Sequence, residues 1–391
     1  MTGKSNSEPF DFAVIGAGIN GLAIAHALYR RHPGARLAIF ERFHSAAPIQ
    51  ASSHGQLRIT RSAYAGAREV KGMICALEEW RILERELGTR LIHFHPMCFF
   101  GHPDGAMMAY ANAVAEAKAR FPNLALRLID VAEAAGAFPQ FRFSPGTVVI
   151  EDQTAGIILA SVTIRRLLDR LLEGGINVRC RTRIGRIEHA SCGYRLQTDN
   201  GCLRTRRLVV AAGPWLRDLV PRLATAIIPI RQTVGYFRLE GLHGGTGIGE
   251  FPPWAHMGRS SDSFHYGLPA HRGQGLKVAR HVTAGPASNL QVVDEEAVSA
   301  AAMELIEFVR NHFVASKVDL LEIEHCLYSC RSGENFVVDW LDDSCRAVVV
   351  GAGNGHMFKW APFVGRAVAD MLTEGEPSQS EARELLPAWA I

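Results

Sequence analysis

The fold is decided near the start of the chain by the stretch Phe12-Ala-Val-Ile15-Gly16-Ala-Gly18-Ile-Asn-Gly21. The apolar run at 12–15 is typical of a buried strand. Residues 19–31 follow the spacing of an amphipathic helix, and the apolar run 37–40 predicts a second strand that closes at Glu41. The sequence therefore predicts a β-α-β unit with a glycine-rich turn between its first strand and its helix.

This glycine pattern indicates a dinucleotide site. Gly16, Gly18 and Gly21 allow the backbone to approach a pyrophosphate, and the helix N-terminus offers free N–H groups to it. Glu41 can accept hydrogen bonds from a ribose diol, which favours FAD or NAD over NADP. The alternative is a glycine-rich turn in an ordinary α/β protein.

Two later turns favour FAD over NAD. The apolar strand 208–211 runs into Ala212-Gly213-Pro214, and the strand 347–350 runs into Gly351-Ala-Gly353-Asn-Gly355. A long, two-part flavin dinucleotide needs such additional strand-to-glycine turns. We therefore include Gly213, Gly353 and Gly355 among the candidate cofactor-binding residues.

Composition argues against several classes of protein. The 391 residues include 42 lysines and arginines and 39 aspartates and glutamates, a net charge of +3, whereas nucleic-acid binders usually show a strong basic excess. No apolar run approaches the roughly 18 residues of a membrane span, and the polar N-terminus lacks a signal peptide's apolar stretch. The eight cysteines form no CxxC pair. We expect a cytoplasmic monomer or homodimer that binds no metal, nucleic acid or membrane.

The rest of the chain mixes helical and strand-like patterns. Helices are predicted over 66–87, 106–120, 158–173, 294–313 and 362–373, and strands over 91–95, 97–100, 177–181, 194–198, 264–268 and 276–280. The glycine-rich and proline-rich segment 241–253 predicts a mobile loop. Pieces of α/β pattern separated by strand-rich stretches indicate one domain built from discontinuous segments, with a second inserted into it.

Five segments carry a family resemblance. They are Gly16-x-Gly18-x-x-Gly21; Ser53-His54-Gly55-x-x-Arg58-x-x-Arg61; Tyr266-Gly267 through Gly275-Leu276-Lys277; Cys326-x-Tyr328 through Phe336-Val-Val-Asp339; and Gly355-His356-x-Phe358-Lys359. In this order they resemble the FAD-dependent amine oxidases of the monomeric sarcosine oxidase and N-methyltryptophan oxidase family. The first segment is common to many folds, whereas the other four together are specific. The resemblance covers essentially the whole chain.

The resemblance implies an α/β fold. A Rossmann-type FAD-binding domain, like that of glutathione reductase, would carry an inserted α+β substrate domain built on a mostly antiparallel sheet. We expect the FAD-binding domain at 8–89, 146–225 and 326–385, the substrate domain at 90–145 and 226–325, and tails at 1–7 and 386–391.

The same resemblance assigns roles to two residues near the flavin. The Cys326 thiol, in Cys-Leu-Tyr-Ser, would form a thioether with FAD, although a lone cysteine is by default a buried structural thiol. Cys330, four residues on, does not match the motif. The Lys277 ammonium would lie by the flavin, through water, and promote the reaction of reduced flavin with O2. The alternative for Lys277 is an edge lysine that reaches out to water.

The resemblance also implies a substrate site. Arg61 and Lys359 would hold the substrate carboxylate, because arginine binds a carboxylate bidentately and lysine adds a point charge. Tyr266 and His281 would line the substrate cavity.

Two further residues would lie against the flavin. The resemblance places Arg58 and His54 there, where positive charge stabilises the reduced, anionic cofactor. The alternative for Arg58 and Arg61 is a solvated loop face, which the flanking Ser-His-Gly argues against. The remaining candidate cofactor-binding residues are Arg42, Ser53, Gly55, His356 and Lys359.

We therefore expect a flavin-dependent oxidase of a small carboxylated amine, such as an N-methyl or cyclic secondary amino acid. It would oxidise the C–N bond to an imine by hydride transfer to FAD and reduce O2 to H2O2. Alternatives are a D-amino-acid, glycine or 2-hydroxy-acid oxidoreductase on the same fold, and a non-enzymatic dinucleotide-binding protein. The segment Asn354-Gly-His-Met357-Phe-Lys places methionine where the family commonly has glycine, so we expect an altered pocket.

Overall fold

The N-terminal β-α-β unit forms as predicted. In the computed structural model, which describes residues 8–104, 106–260, 263–282 and 294–391, helix α1 (Ile19–Arg31) connects strand β1 (Phe10–Ile15) to strand β2 (Leu37–Phe40). The two strands pair in parallel. All four residues of β2 are buried, as is typical of a parallel strand that is covered on both faces.

Seventeen further strands follow among the described residues. They are β3 (Leu57–Thr60), β4 (Ile92–Phe94), β5 (Met97–Gly101), β6 (Leu126–Ile129), β7 (Val148–Asp152), β8 (Gly156–Leu159), β9 (Asn177–Arg179), β10 (Ile184–Ala190), β11 (Gly193–Thr198), β12 (Gly201–Val210), β13 (Ile228–Glu240), β14 (Trp254–Met257), β15 (Phe264–Leu268), β16 (Leu276–Arg280), β17 (Lys317–Cys330), β18 (Val337–Trp340) and β19 (Ala347–Gly351). The further α-helices are α2 (Ala67–Leu87), α3 (Ala106–Arg120), α4 (Val131–Ala137), α5 (Ala160–Glu173), α6 (Leu216–Leu219), α7 (Glu295–His312), α8 (Ala361–Glu374) and α9 (Ser380–Leu385).

The first sheet is the dinucleotide-binding type. Its strands follow the order β10-β11-β12-β1-β2-β9, and β19 also pairs with β12 and carries β18. Strands β2, β1, β12 and β19 run parallel to one another. Because parallel strands end at the same edge of a sheet, the turns that follow β1, β12 and β19 come together there.

The second sheet is mostly antiparallel, as predicted. Its order is β17-β13-β16-β15-β14-β5-β7-β6, and only the β14–β5 pair is parallel. Strand β16 lies between β13 and β15, so Lys277 is on an inner strand. The interpretation of Lys277 as an edge lysine is therefore wrong. A third, small sheet has the order β3-β8-β4.

The domain ranges stay a prediction, and three places in the structure depart from them. Strand β7 lies within 146–225 but pairs with β5 and β6 of the second sheet. Cys326–Cys330 lies within 326–385 but forms the end of β17 in that same sheet. Residues 386–391 are not a free tail, because the buried Trp389 ring packs against Phe336 at 5.0 Å. The other predicted tail, 1–7, lies outside the described residues.

The predicted helices agree with the structure apart from their ends. The helix predicted at 158–173 begins two residues later, because 156–159 forms β8. No helix of the described ranges is long and apolar enough to cross a bilayer. Segment 241–253 contains no described strand or helix, and its Ile248 packs on Leu57 and Leu268.

Candidate active site

A deep cleft lies at the edge of the first sheet where its parallel strands end. It encloses about 1310 Å³, including its opening to solvent. Eight of the predicted cofactor-binding residues line it: Gly16, Gly18, Glu41, Arg42, Ser53, Gly213, Gly353 and Gly355. The turns after β1, β12 and β19 thus converge on one cleft, as the two later glycine turns predict.

The glycine turn after β1 leaves no room for side chains. Gly16 has φ of +103°, and a Cβ atom on it would lie 2.4 Å from the Ala211 carbonyl oxygen. A Cβ atom on Gly21 would lie 1.9 Å from the Gly16 carbonyl oxygen, so Gly21 packs α1 against the turn. Of the three predicted glycines, Gly21 therefore acts through helix packing, whereas Gly16 and Gly18 line the cleft.

Polar side chains hold the cleft in shape. The Glu41 carboxylate accepts hydrogen bonds from the backbone N–H groups of Ala17 (2.9 Å) and Phe43 (3.0 Å). The Ser53 hydroxyl oxygen accepts from the Ile19 N–H at the start of α1 (3.0 Å), which leaves its own proton to donate. The turn, the helix N-terminus and these oxygens fit a dinucleotide pyrophosphate and ribose.

The methionine that departs from the family pattern lies in this cleft. Met357 is buried, and its Sδ atom is 3.2 Å from Asn20 Nδ2. The Asn20 Oδ1 atom is buried without a hydrogen-bond partner among the described residues. Arg42 lies over the Trp215 ring at 4.8 Å, and burial lowers its pKa. The cleft therefore offers polar atoms that a bound ligand would satisfy.

A second cavity adjoins the first cleft. It encloses about 2200 Å³ with its opening, and Arg58 and Phe358 line both spaces. The structure brings the remaining predicted site residues together here: His54, Gly55, Arg58, Arg61, Tyr266, Lys277, His281, Cys326, His356 and Lys359. They come from β3 and the loops on either side of it, from strands β15 to β17 with the residue after β16, and from the C-terminal segment.

Strand register explains why the residues of the second sheet meet. Lys277 is the cross-strand partner of Tyr236, and Cys326 is the partner of Gln232. Positions 232 and 236 are an even number of residues apart on β13, so their side chains lie on one face. Tyr266 pairs with Ala279, two residues from Lys277. One sheet face thus presents the lysine, the cysteine and the tyrosine.

Two basic side chains, the half-buried Arg61 and the buried Lys359, occupy one end of this cavity. Arg61 lies over the Tyr64 ring at 4.2 Å and donates a hydrogen bond to the Tyr110 hydroxyl (2.7 Å). Lys359 is 6% exposed, and its Nζ atom is 5.8 Å from the same Tyr64 ring centre. The nearby Asp152 carboxylate already accepts four hydrogen bonds, from the N–H groups of residues 62, 63 and 154 and from the Thr154 hydroxyl. Burial, and repulsion from Arg61, hold the Lys359 pKa well below its usual value.

The pKa values of Lys277 and Cys326 are also shifted. Burial and repulsion by Arg58 lower the Lys277 pKa to about 7. Burial raises the Cys326 pKa, although Lys277 and Arg58 oppose that rise. The thiol and the ammonium are therefore coupled through the field of one small site.

The Arg58 guanidinium organises the loop that carries His54. It donates to the carbonyl oxygens of Ser52 (2.9 Å), His54 and Leu57 (2.8 Å), and lies over Phe358 at 5.4 Å. The reading of Arg58 as part of a solvated loop face is therefore wrong. His54 Nε2 lies 4.0 Å from Glu324 Oε1, and burial lowers the His54 pKa.

One histidine and two tyrosines, His281, Tyr266 and Tyr328, also line this cavity. Burial, Lys359 and Arg61 lower the His281 pKa to about 4. The hydroxyls of Tyr266 and Tyr328 are 3.0 Å apart. His281 is therefore uncharged near pH 7 and can accept a hydrogen bond. Among the residues that the structure describes, no cluster of three or more His, Cys, Asp or Glu side chains is arranged to hold a metal ion.

Residues 11–371 match the family described as FAD dependent oxidoreductase (DAO). The chain belongs to this family. Its match spans both cavities and all five segments, which confirms the resemblance and the α/β fold with FAD as cofactor.

This DAO-family chain is similar to characterised enzymes over nearly its whole length. It is 28% identical to the peroxisomal sarcosine oxidase of Homo sapiens, over 96% of this chain and 95% of that protein. It is 24% identical to the N-methyl-L-tryptophan oxidase of Salmonella typhi, over 94% of this chain and 96% of that protein. The prediction of an FAD-dependent amine oxidoreductase is confirmed.

The fold also matches solved structures. NikD, an unusual amino acid oxidase essential for nikkomycin biosynthesis, superposes with a TM-score of 0.83 at 22% identity, covering 98% of each chain. This likeness confirms the predicted fold class.

Sequence reasoning missed several residues that line the second cavity. Tyr64, Tyr110 and Glu324 belong to it, and so does Tyr328, which stood in a quoted motif without a role. Tyr64 and Tyr110 have no motif of their own. Glu324 lies two residues before Cys326, and this spacing was the available signal once β17 is recognised as a strand.

Proposed function

We propose that this enzyme oxidises a small secondary amine that carries a carboxylate, such as an N-methyl or cyclic amino acid, to the imine, and reduces O2 to H2O2. In the balanced reaction the amine loses two electrons and two protons, and O2 gains them. Water then hydrolyses the imine. The observation that carries the proposal is the pair of basic side chains, Arg61 and Lys359, which share one cavity with Lys277 and Cys326.

The cations bind and orient the substrate in this proposal. A carboxylate between the Arg61 fork and the Lys359 ammonium would add negative charge where two basic side chains meet. Tyr64, which packs against both cations, and Phe99, which is 5.9 Å from Arg61, would exclude water from that ion pair. The amine would then face His281 and Tyr266.

Proton handling follows from the same geometry. An amine must be uncharged before its C–N bond is oxidised. His281 is neutral near pH 7 and can accept a hydrogen bond from the substrate N–H group, which orients the amine. The ammonium proton itself passes to solvent, because a histidine with a pKa of about 4 is too weak a base to remove it. FAD, when bound, supplies the two-electron acceptor chemistry.

We also propose that Cys326 holds FAD covalently through a thioether. The bond would replace the thiol hydrogen and one hydrogen of the cofactor's methyl group by a C–S bond, a two-electron oxidation for which O2 is the acceptor. Its support is the position of Cys326 on the same sheet face as Lys277, in the cavity that adjoins the FAD cleft.

The experiment is anaerobic mixing of the purified holoenzyme with matched amines. N-methyl and cyclic amino acids should bleach the flavin absorbance, and admitted O2 should restore it with one H2O2 per amine. The decarboxylated amines serve as controls and should react at least tenfold more slowly. Equal rates for both sets, or bleaching only by 2-hydroxy acids, would contradict the proposal.

A further inference from the structure

Lys277 also borders a further, much smaller cavity. This cavity encloses about 210 Å³ with its opening, and Tyr236, Gln274, His271 and Gln56 also line it. Lys277 is thus the one predicted site residue that lines both this small cavity and the large one.

The small cavity contains polar atoms that require a partner. Gln56 Oε1 and His271 Nε2 are buried and have no hydrogen-bond partner among the described residues. Buried polar atoms in native proteins are almost always satisfied, by protein or by ordered water. A polar cavity with room for about one water molecule meets that requirement.

A hydrogen-bonded path connects the small cavity with the surroundings of Lys277. The Tyr236 hydroxyl donates to Glu324 Oε2 at 2.8 Å, and Gln274 Nε2 donates to Glu324 Oε1 at 3.2 Å. Tyr236 is also the direct cross-strand neighbour of Lys277. Opposite residues of an antiparallel pair have Cβ atoms only about 5 Å apart. The Tyr236 hydroxyl, the Glu324 carboxylate and the Lys277 ammonium therefore lie in one polar cluster.

The proposed reaction requires such a path. Reducing O2 to H2O2 takes two electrons and two protons. The hydride equivalent that the substrate gives up accounts for both electrons and one proton, so one more proton must come from the protein or from solvent. We propose that the small cavity, Tyr236 and Glu324 form a proton relay. The relay supplies this second proton to the place beside Lys277 where O2 is reduced. The relay rests on the proposed function, in which Lys277 serves the oxygen reaction.

Other charged groups face the same path. Glu324 is surrounded by His54, Arg58, Lys277 and Cys326, and His271 by Arg272 and His93. The carboxylate raises the Lys277 pKa, whereas Arg58 lowers it. Glu324 thus has a second effect in the relay, because it helps to keep the Lys277 ammonium protonated near pH 7.

The test separates the two half-reactions by stopped-flow absorbance of the holoenzyme. We compare Tyr236→Phe, which removes the relay hydroxyl, and Gln56→Met, which removes the unpaired cavity oxygen, with Tyr194→Phe. Tyr194 is the matched control, because its buried hydroxyl also donates to a carboxylate, that of Asp342 at 2.8 Å, in the first sheet. Loss of a positioned proton donor should slow reoxidation by O2 about tenfold or more. Anaerobic reduction should stay within about twofold, and the solvent deuterium effect on reoxidation should rise in the relay variants only.

A crystal structure of the holoenzyme gives an independent readout. In the wild-type crystal we expect a water molecule within hydrogen-bonding distance of Gln56 Oε1 and His271 Nε2. In the Gln56→Met crystal we expect this water to be absent. A dry cavity in the wild-type enzyme would overturn the relay. The relay would also be overturned if Tyr236→Phe and Gln56→Met both kept the reoxidation rate and isotope effect of the wild type. Equal slowing of reoxidation by the control variant Tyr194→Phe would overturn it too.

The Lys277→Met variant distinguishes failure of the relay from failure of the proposed function. Slow reoxidation in Lys277→Met with normal Tyr236→Phe and Gln56→Met removes the relay and keeps the oxygen role of Lys277. Normal reoxidation in Lys277→Met removes that oxygen role, and the relay with it.

Discussion

Replacement of Lys359 by methionine tests the carboxylate site most directly. Methionine retains the length and apolar stem of lysine, so packing against Tyr64 is preserved while the charge is lost. A hydrogen bond to a charged group contributes about 1.5–3 kcal/mol. Since each 1.4 kcal/mol is a factor of ten, affinity for a carboxylate should fall about 10- to 150-fold.

The assay is titration of the flavin absorbance with propionate, a short carboxylate that cannot be oxidised at a C–N bond. Propionamide is the uncharged counterpart, and its affinity should not change in Lys359→Met. Lys317→Met is the control variant, because Lys317 pairs with Glu240 and Asp319 on the surface. An equal loss of affinity for propionate and propionamide would refute the electrostatic reasoning.

The same variant makes a pH prediction with a definite sign. In the free cavity the Lys359 pKa lies well below its usual value because of burial and Arg61. A bound carboxylate favours the ammonium form, so binding takes up a proton at pH values between that lowered pKa and the higher pKa that Lys359 has in the complex. Propionate affinity should therefore fall by up to about tenfold per pH unit as the pH rises, and this slope should vanish in Lys359→Met.

Two further outcomes follow from other parts of the structure. In Cys326→Ser, acid precipitation should leave the flavin colour in the supernatant, whereas Cys330→Ala should keep it in the pellet as in the wild type; colour in the Cys326→Ser pellet would contradict the thioether. Burial lowers the pKa of His256 to about 3 and of His265 to about 4, so the neutral forms stabilise the fold above pH 6.5, and this stability is lost as the pH falls from about 6.5 toward 4. Urea unfolding should show a loss of up to about 1.4 kcal/mol per pH unit for each histidine, a loss that His256→Phe reduces and that the exposed-site control His44→Phe leaves unchanged.

The sequence was informative where structure is local. Strand β2 is four consecutive apolar residues, and the turn before α1 can accept only glycine at position 16, so both features are visible along the chain. The cation pair was accessible only through the family resemblance, since Arg61 and Lys359 are 298 positions apart and meet through tertiary packing.

The relay residues were out of reach for a different reason. Tyr236 and Glu324 belong to β13 and β17, long strands whose partners lie far away in sequence. Their proximity depends on the register between the strands, and a slip of one residue would turn each side chain to the opposite face. Residues 386–391 were misjudged similarly, because the burial of Trp389 depends on Phe336 and Trp360.

The charge balance of the large cavity connects these observations. Arg58, Arg61, Lys277 and Lys359 bring four basic side chains into it, against the two carboxylates of Glu69 and Glu324, the second of which accepts a hydrogen bond from Tyr236. Burial first, and then repulsion by Arg58 and Arg61, depress the pKa of both lysines, which is an electrostatic cost of this arrangement. The cost is offset when negative charge enters at both ends: a carboxylate between Arg61 and Lys359, and electrons transferred beside Lys277. A neutral amine without a carboxylate would offset only half of it, so the cavity's own electrostatics favour an anionic substrate.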